Sequence, residues 1–457
     1  MKIPKTLKTI AQKIFEAGGT PVLVGGAIRD DILGIECKDL DVEVFGLSKS
    51  KLIAILREFG KVSQVGRTFG ILKLTVDNED FDFSLPRSDQ KTGSGHKGFF
   101  IKTDPYMSFE QAASRRDFTI NSMGFNILND EIIDEYNGII DLKNRELRVV
   151  NREKFVEDPL RVLRGIQFAA RFCLTITETT LEIFKTLVST LHELPDERVF
   201  EEFKKLLLKA DKPSVGFAMA AQVGVIQALY PEMKVSADES DEKVKQEKHP
   251  NWTLMLGALD EAAGLRCDEI FKDLCLMLTI ICLDFARPDL EEKSGKESGK
   301  TGKAKSKLKS VRMFLGKLTK EIDLVNTVES LVREIHQPDL IFANTENRDG
   351  EIRRLSLRVN VSLLIKAARA EHFGRQNESD VRQPYLAGDW MIKRFKELGL
   401  SDSKKIEPLL MGRHLIEMGL KPGPKFTVIL KEAFEKQLDG VIRTLDEILE
   451  WAHDRVQ

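Results

Sequence analysis

Thr20-Pro21-Val22-Leu23-Val24-Gly25-Gly26-Ala27-Ile28-Arg29-Asp30 is the stretch on which the reading of this chain turns. Its apolar run, stopped by a glycine pair, predicts a buried strand over residues 20–25, and the residues after the glycines continue as a helix. Glycines at such a bend allow a tight turn and let the backbone approach a phosphate, while Arg29 supplies fixed positive charge. A glycine pair alone is usually only a turn, so the weight falls on the residues that accompany it.

Thirteen residues after Gly26, Asp39-Leu40-Asp41 opens the alternating run 39–45, DLDVEVF, a second predicted strand. Residues two apart on a strand share a face, so Asp39 and Asp41 can converge on one divalent metal or bridge two. Mg²⁺ suits oxygen ligands; in a two-metal site the ions stand about 4 Å apart, activate an attacking hydroxyl and neutralise a triphosphate. Residues 71–76 (ILKLTV) and 80–85 (DFDFSL) predict a further strand pair around a turn at 77–79. Asp82 points away from Phe81 and Phe83 and is a candidate third carboxylate, although a solvent-facing aspartate on a half-buried strand explains it equally well.

Farther along stands Arg115-Arg116-Asp117-Phe118-Thr119-Ile120-Asn121. Adjacent guanidiniums suit phosphate oxygens, Asp117 can accept from a ribose hydroxyl, and Asn121 shares a face with Asp117 if the segment is helical. Next, Glu157-Asp158-Pro159-Leu160-Arg161-Val162-Leu163-Arg164 opens a region of helical spacing. Asp158 fits an N-cap with Pro159 in the first helical position. Asp158, Arg161 and Arg164 also project an acceptor and two donors from neighbouring turns. Cytosine and adenine both offer an exocyclic amine beside a ring-nitrogen acceptor, whereas guanine and uracil offer a carbonyl in place of that amine. A carboxylate beside a guanidinium therefore accepts the first pair and leaves the second with mismatched polar groups.

GGAIRD, DLD, RRDFTIN, EDPLRVLR and then Glu197-Arg198-Val199-Phe200-Glu201-Glu202 resemble, in order, the motifs of the class II tRNA nucleotidyltransferases, the CCA-adding enzymes, and their relatives the bacterial poly(A) polymerases. The resemblance spans residues 22–203 and weakens outside them. It implies an α+β fold: a polymerase β-like nucleotidyltransferase head with a mixed sheet, followed by an all-helical neck, body and tail. The corresponding spans are 1–150 for the catalytic head, 151–215 for a neck that recognises the base, 216–330 for the body and 331–457 for a tRNA-binding tail. It also implies that Asp39 and Asp41 hold Mg²⁺, that Arg116 and Asn121 contact the triphosphate, that Asp117 meets the ribose, and that Asp158 and Arg161 act as a protein template for CTP and ATP. Gly25, Gly26, Arg29 and Arg164 complete the expected nucleotide site. The expected reaction is template-independent addition of CTP and ATP to a tRNA 3′ end with release of pyrophosphate. An enzyme adding only A or only CC, a poly(A) polymerase, and a catalytically silent RNA-binding protein are the alternatives.

Residues 249–288 resemble more faintly an HD phosphohydrolase domain, but Leu254 and Leu283-Asp284 stand where that domain's metal-binding His and His-Asp pair are expected. Without imidazoles the expectation is a degenerate HD-like body with no phosphatase activity. Near the C-terminus, a turn carrying Lys421 and Lys425 resembles the family's tail and is a candidate contact for the RNA backbone. Two stretches read as loops. Residues 87–99, RSDQKTGSGHKGF, are expected to be mobile beside the active site and, by resemblance, to help switch from C to A addition around Lys91 and Lys97. Residues 291–310, rich in Lys, Gly and Ser, are expected to form a flexible insertion.

Composition sets the outer bounds. At 457 residues the chain is long enough for several packed units. Its 70 Lys and Arg against 72 Asp and Glu leave a net charge of −2, so any RNA surface must be a local patch. Cys37, Cys173, Cys267, Cys275 and Cys282 are odd in number and lack a Cys-x-x-Cys pair, which predicts reduced thiols and not disulfides or a zinc site. With no signal-peptide pattern and no apolar run of transmembrane length, the expected location is the cytoplasm, away from membranes. The sequence leaves the oligomeric state open.

Overall fold

The computed structural model describes residues 1–37, 40–65, 70–76, 79–91, 99–233, 250–286, 300–344, 346–376 and 381–456. The chain divides into two compact units, Met1–Ala210 with Val215–Pro231, and Asp211–Ser214 with Glu232–Gln457.

In the first unit, α1 (Lys5–Glu16) buries Leu7, Ile10, Ala11 and Ile14 at helical spacing. After it come β1 (Thr20–Val24), α2 (Gly26–Ile32), β2 (Asp41–Phe45), α3 (Lys49–Arg57), β3 (Lys61–Val65), β4 (Ile71–Val76) and β5 (Glu79–Ser84). The chain continues through β6 (Arg87–Lys91), β7 (Phe99–Thr103), α4 (Phe109–Ala113), β8 (Gly124–Asn126), β9 (Glu131–Ile133) and α5 (Gly138–Lys143). A seven-stranded sheet has the order β3-β4-β5-β2-β1-β8-β9. β2 and β5 run parallel while the other neighbours are antiparallel, so the sheet is mixed. Behind it stand α6 (Arg152–Phe155), α7 (Leu160–Phe172), α8 (Glu178–Leu187), α9 (Asp196–Lys209), α10 (Pro213–Val223) and α11 (Val225–Leu229).

Register explains the two faces of the sheet. Val42 lies beside Phe83, Phe83 beside Leu72, and Phe81 beside Leu74. These side chains are all at most 2% exposed and form the apolar face. A second apolar centre joins the sheet domain to the helices behind it. Phe118 meets Phe155, Phe168 and Phe184 edge-on at 5.5–6.3 Å between ring centroids, within the range where aromatic pairs gain beyond their buried area.

The second unit is helical: α12 (Pro250–Gly264), α13 (Ile270–Ala286), α14 (Lys300–Leu318), α15 (Ile322–Glu334), α16 (Gln337–Ala343), α17 (Arg348–Arg358), α18 (Val361–Gly374), α19 (Leu386–Glu397), α20 (Gly412–Glu417), α21 (Pro424–Leu438) and α22 (Leu445–Val456). Every residue from 274 to 283 in α13 is buried, which makes it the central helix, touched by α12, α14, α15 and α18. Leu283 belongs to that buried run and Leu254 is half-buried in α12, so apolar packing fills both positions where the HD resemblance expects imidazole. Among the described residues no helix is long and apolar enough to cross a membrane.

Three boundaries differ from the sequence reading. The strand expected over 39–45 begins at Asp41, and Asp39 lies outside the described residues. Of the loop expected over 87–99, residues 87–91 and 99 are strand: β6 and β7 pair antiparallel from Arg87↔Thr103 to Lys91↔Phe99, while residues 92–98, Lys97 among them, lie outside the described residues. Cross-strand pairing makes strands of RSDQK, which has no apolar alternation to announce it. Of the flexible insertion expected over 291–310, residues 291–299 lie outside the described residues and 300–310 are helical, because α14 continues into Val311, Phe314, Leu315 and Leu318, all buried. Lysine and alanine are good helix formers once such an anchor exists.

Gly165 of α7 supports the aromatic junction. A Cβ there would lie 2.3 Å from Phe184 Cζ and 2.8 Å from Phe118 Cζ. Gly165→Ala should gain about 1 kcal/mol of helix propensity but lose more through overpacking, typically ~1–3 kcal/mol. Urea denaturation is expected to show net destabilisation; a more stable variant would mean that the rings yield freely.

Candidate functional site

A polar row crosses the sheet opposite its apolar face. Asp41 on β2 sits beside Val24 on β1 and Asp82 on β5, and Asp82 beside Lys73 on β4. Cross-strand neighbours point to the same face, so the Asp41 and Asp82 carboxylates share it, Asp41 exposed and Asp82 half-buried. Lys73 forms an ion pair with Asp80 at 2.9 Å. Hydrogen bonds from Thr75 and Lys73 hold the Asp80 carboxyl below the usual range. Glu43, two residues beyond Asp41 on the same face, is 1% exposed and meets Arg115 at 2.9 Å and Arg116 at 3.5 Å.

The glycine bend closes over this row. Gly25 has φ +84° and ψ −141°, a backbone conformation open essentially to glycine. A Cβ on Gly25 would lie 3.6 Å from Arg116 Nη1 and 3.7 Å from Asp41 Oδ2, which places the bend against both groups. Gly26 begins α2, whose Arg29 is 5% exposed. Arg29 donates to Asp30 at 2.6 and 2.8 Å and to Asn121 Oδ1. Its guanidinium also lies 4.4 Å from the centre of the Phe172 ring, a cation–π contact.

Asn121 ends a 3₁₀ turn, Thr119–Asn121, which brings its amide back to Asp117 Oδ1 at 3.0 Å. Asp117 is 6% exposed and also accepts from Phe118 N at 2.8 Å and from Arg164 Nε at 2.7 Å. Burial alone would raise its pKa, but the Arg164 charge and the bonds from Asn121 and Arg164 outweigh burial and hold the carboxyl below the usual range. Both Asp117 oxygens are thus engaged by the protein itself, as is the Asn121 amide.

The helices behind the sheet contribute the other wall. Asp158 stands one residue ahead of Pro159, which is the N-cap of α7 in place of the expected Asp158, and its Oδ1 accepts from Leu160 N at 3.1 Å. Its Oδ2 accepts from Arg198 at 3.1 Å. Arg161 donates to the carbonyls of Lys154 and Arg115, each at 2.8 Å. Burial lowers the pKa of Arg161, partly offset by Asp117 and Asp158. Burial likewise lowers that of Arg116, against the pull of Glu43.

One cleft of about 500 Å³ gathers Gly25, Gly26, Arg29, Asp41, Arg116, Asp117, Asn121, Asp158, Arg161 and Arg164, ten positions singled out in the sequence. A second, of about 1240 Å³, is lined by Asp41, Asp82, Asp80 and Lys73. The two share Asp41. Among the described residues no group of three or more His, Cys, Asp or Glu is placed to hold a metal ion; Asp41 and Asp82 form a pair, and Asp39 lies outside those residues. Lys421 and Lys425 belong to the second unit, exposed on either side of Gly423, the N-cap of α21. Arg115, the other of the adjacent guanidiniums, also lines the first cleft, and Arg198, Phe168 and Glu43 are additional residues at it or beneath it. Arg198 belongs to the ERVFEE motif, and only the two-residue spacing from Asp41 could have marked Glu43.

Because Asp117 titrates lower when folded, its stabilisation is present above the unfolded carboxyl pKa near ~4 and is lost as pH falls through the folded value. Arg164→Met leaves this buried carboxylate without its cation and should cost about 3 kcal/mol at neutral pH. Burial then dominates and raises the Asp117 pKa, so acidification should destabilise the variant less than the parent. Denaturation curves at pH 7 and pH 4 check this; parallel losses would show that the pair does not set the acid limb.

Comparison with known proteins gives matches in the same regions. Residues 22–148 match the family described as the poly A polymerase head domain, and residues 173–236 the probable RNA and SrmB-binding site of polymerase A. A multifunctional CCA protein of Mannheimia succiniciproducens is 38% identical over 270 residues, 58% of this chain and 62% of that protein. A CCA-adding enzyme of Blochmanniella floridana is 37% identical over 216 residues, 47% of this chain and 50% of that protein. The chain thus spans between about half and three fifths of the curated relatives it matches. Among solved structures, the Bacillus stearothermophilus CCA-adding enzyme in complex with CTP superposes with a TM-score of 0.71 at 19% identity, covering 100% of this chain and 98% of that one. The Thermotoga maritima CCA-adding enzyme complexed with tRNA gives 0.61 at 20% identity, covering 100% and 97%. These structures share the fold, a mixed-sheet head followed by helices. Residues 22–148 and 173–236 thus match two domains described for poly(A) polymerases, and over about half its length the chain is similar to CCA-adding enzymes.

Proposed function

We propose that the chain is a CCA-adding tRNA nucleotidyltransferase, joining CTP and ATP to a tRNA 3′ end. The observation that carries this reading is the cleft itself: an exposed carboxylate, a glycine bend, guanidiniums whose charge burial disfavours, and an Asp158–Arg161 pair line one space. An arriving polyanion adds to the negative charge that Glu43 supplies to Arg116 and that Asp117 and Asp158 supply to Arg161, and so offsets their burial. The Bacillus and Thermotoga neighbours, solved with CTP and with tRNA, support the same substrates.

In this reading the 3′-hydroxyl of the tRNA attacks the α-phosphate and pyrophosphate leaves. Asp41 and Asp82, hard oxygen donors on one face, fit Mg²⁺, with Asp39 as a further expected ligand. When bound, the metal lowers the pKa of the attacking hydroxyl and neutralises phosphate charge. The protein's own part is placement. Arg116, braced by Glu43 and set against Gly25, receives the triphosphate. Asp117 and Asn121, their hydrogen-bonding groups already occupied, orient Arg164 and Arg29. The Asp158 carboxylate accepts from the exocyclic amine of C or A, and Arg161 donates to the adjacent ring nitrogen. In the second unit, Lys421 and Lys425 meet the tRNA backbone. The five cysteines form no disulfide among the described residues, and a reducing cytoplasm is the proposed location.

Labelled nucleotides offered to tRNA lacking its last three nucleotides, to tRNA lacking only the final A, and to an unrelated RNA test the reading. Extension of the first two, limited to CCA, is expected. Extension of the unrelated RNA by A would indicate a poly(A) polymerase, and extension of none would end the proposal. Asp41→Asn should lower turnover on the order of 10³-fold with the fold intact; full turnover in Mg²⁺ would refute its role. Asp158→Ala should erode discrimination against UTP by about 10²-fold, measured by competing CTP with UTP, and unchanged selectivity would remove the protein template.

A further inference from the structure

Four helices of the first unit, α7, α9, α10 and α11, line a small pocket of about 30 Å³, mainly with apolar side chains such as Leu163, Phe217 and Ile226. Gln167, 1% exposed, and Glu202, 4% exposed, stand in its wall beside the phenol-bearing Tyr230. Gln167 Oε1 and Glu202 Oε2 are buried acceptors without a hydrogen-bond partner in the protein. Native interiors satisfy nearly all such atoms. What they lack is a donor of two hydrogen bonds, small enough for this space. A water needs roughly 10–15 Å³ and at least two polar partners, and the cavity provides both.

We propose that this cavity is a binding site for a single water that donates one hydrogen bond to Gln167 Oε1 and the other to Glu202 Oε2, making both residues positioning elements of the nucleotide cleft. The link to the cleft is on the opposite Glu202 oxygen. Oε1 accepts from Lys205 at 2.8 Å and faces Arg164 Nη1 at 3.9 Å. Arg164 in turn grips Asp117 at 2.7 Å. Gln167 lies three residues beyond Arg164 on α7, so the water holds Glu202 from behind while Arg164 is held from in front. This last step rests on the proposed nucleotidyltransferase function; the water site itself does not.

Crystals of the full chain at high resolution should show one density peak within hydrogen-bonding distance of both oxygens. A dry cavity, or a Gln167 amide turned to donate directly to Glu202, would overturn the site. Gln167→Met, close in volume but without the acceptor, should lose the water and raise KM for the nucleotide by about tenfold, with kcat little changed. Glu202→Gln keeps the shape, removes the charge facing Arg164 and should raise KM likewise. Unchanged KM in both variants would overturn the coupling to the cleft. If the parent protein incorporates no nucleotide, the functional reading fails while the density still decides the water.

Discussion

The ion pair between Asp117 and Arg164 ties this site together. It joins a 3₁₀ turn of the sheet domain to the helix α7 behind it. Two charges removed from water are stabilising only when their geometry is good and their remaining valences are met. Here they are: Asn121 and the Phe118 amide complete Asp117, and Asn121 passes the constraint on to Arg29, clamped over Phe168 and Phe172. Sequence segments more than a hundred residues apart, from Arg29 to Arg164, therefore share one network, and moving any member misplaces the others.

Beneath that network the sheet sorts its residues by strict alternation. The same strand that buries Val42 and Val44 turns Asp41 and Glu43 the other way. Two carboxylates at that spacing have different surroundings. Asp41 is exposed at the cleft, whereas Glu43 is buried against Arg115 and Arg116 and fixes the arginines beside it.

Much of this was legible in the residues. The apolar run before Gly25, the alternation after Asp41 and the helical spacing from Leu160 each announced an element, because each buries one face at its own period. The mixed-sheet head and helical remainder agree with the resemblance carried by the motifs. Where pattern was weak, reading failed. β6 has no apolar alternation, and the first half of α14 carries little but lysine and small residues, so partners elsewhere in the chain decide their form. Within the cleft, spacing named candidates but could not tell that Asp117 and Asn121 spend their hydrogen bonds on neighbours, nor that Glu43 lies beneath the arginines. Those are facts of packing across the chain.

The ribbon of β6 and β7 forms a sheet of its own, hydrogen-bonded within itself and not to the seven strands of the head. At its root, Asp104 N donates to Pro86 O and Gly46 N to Pro105 O, both within 2.8 Å. Five paired residues rise about 17 Å, so the ribbon carries Lys91 and Phe99 well away from its root while the floor on which Asp41 and Asp82 stand keeps its own ladder.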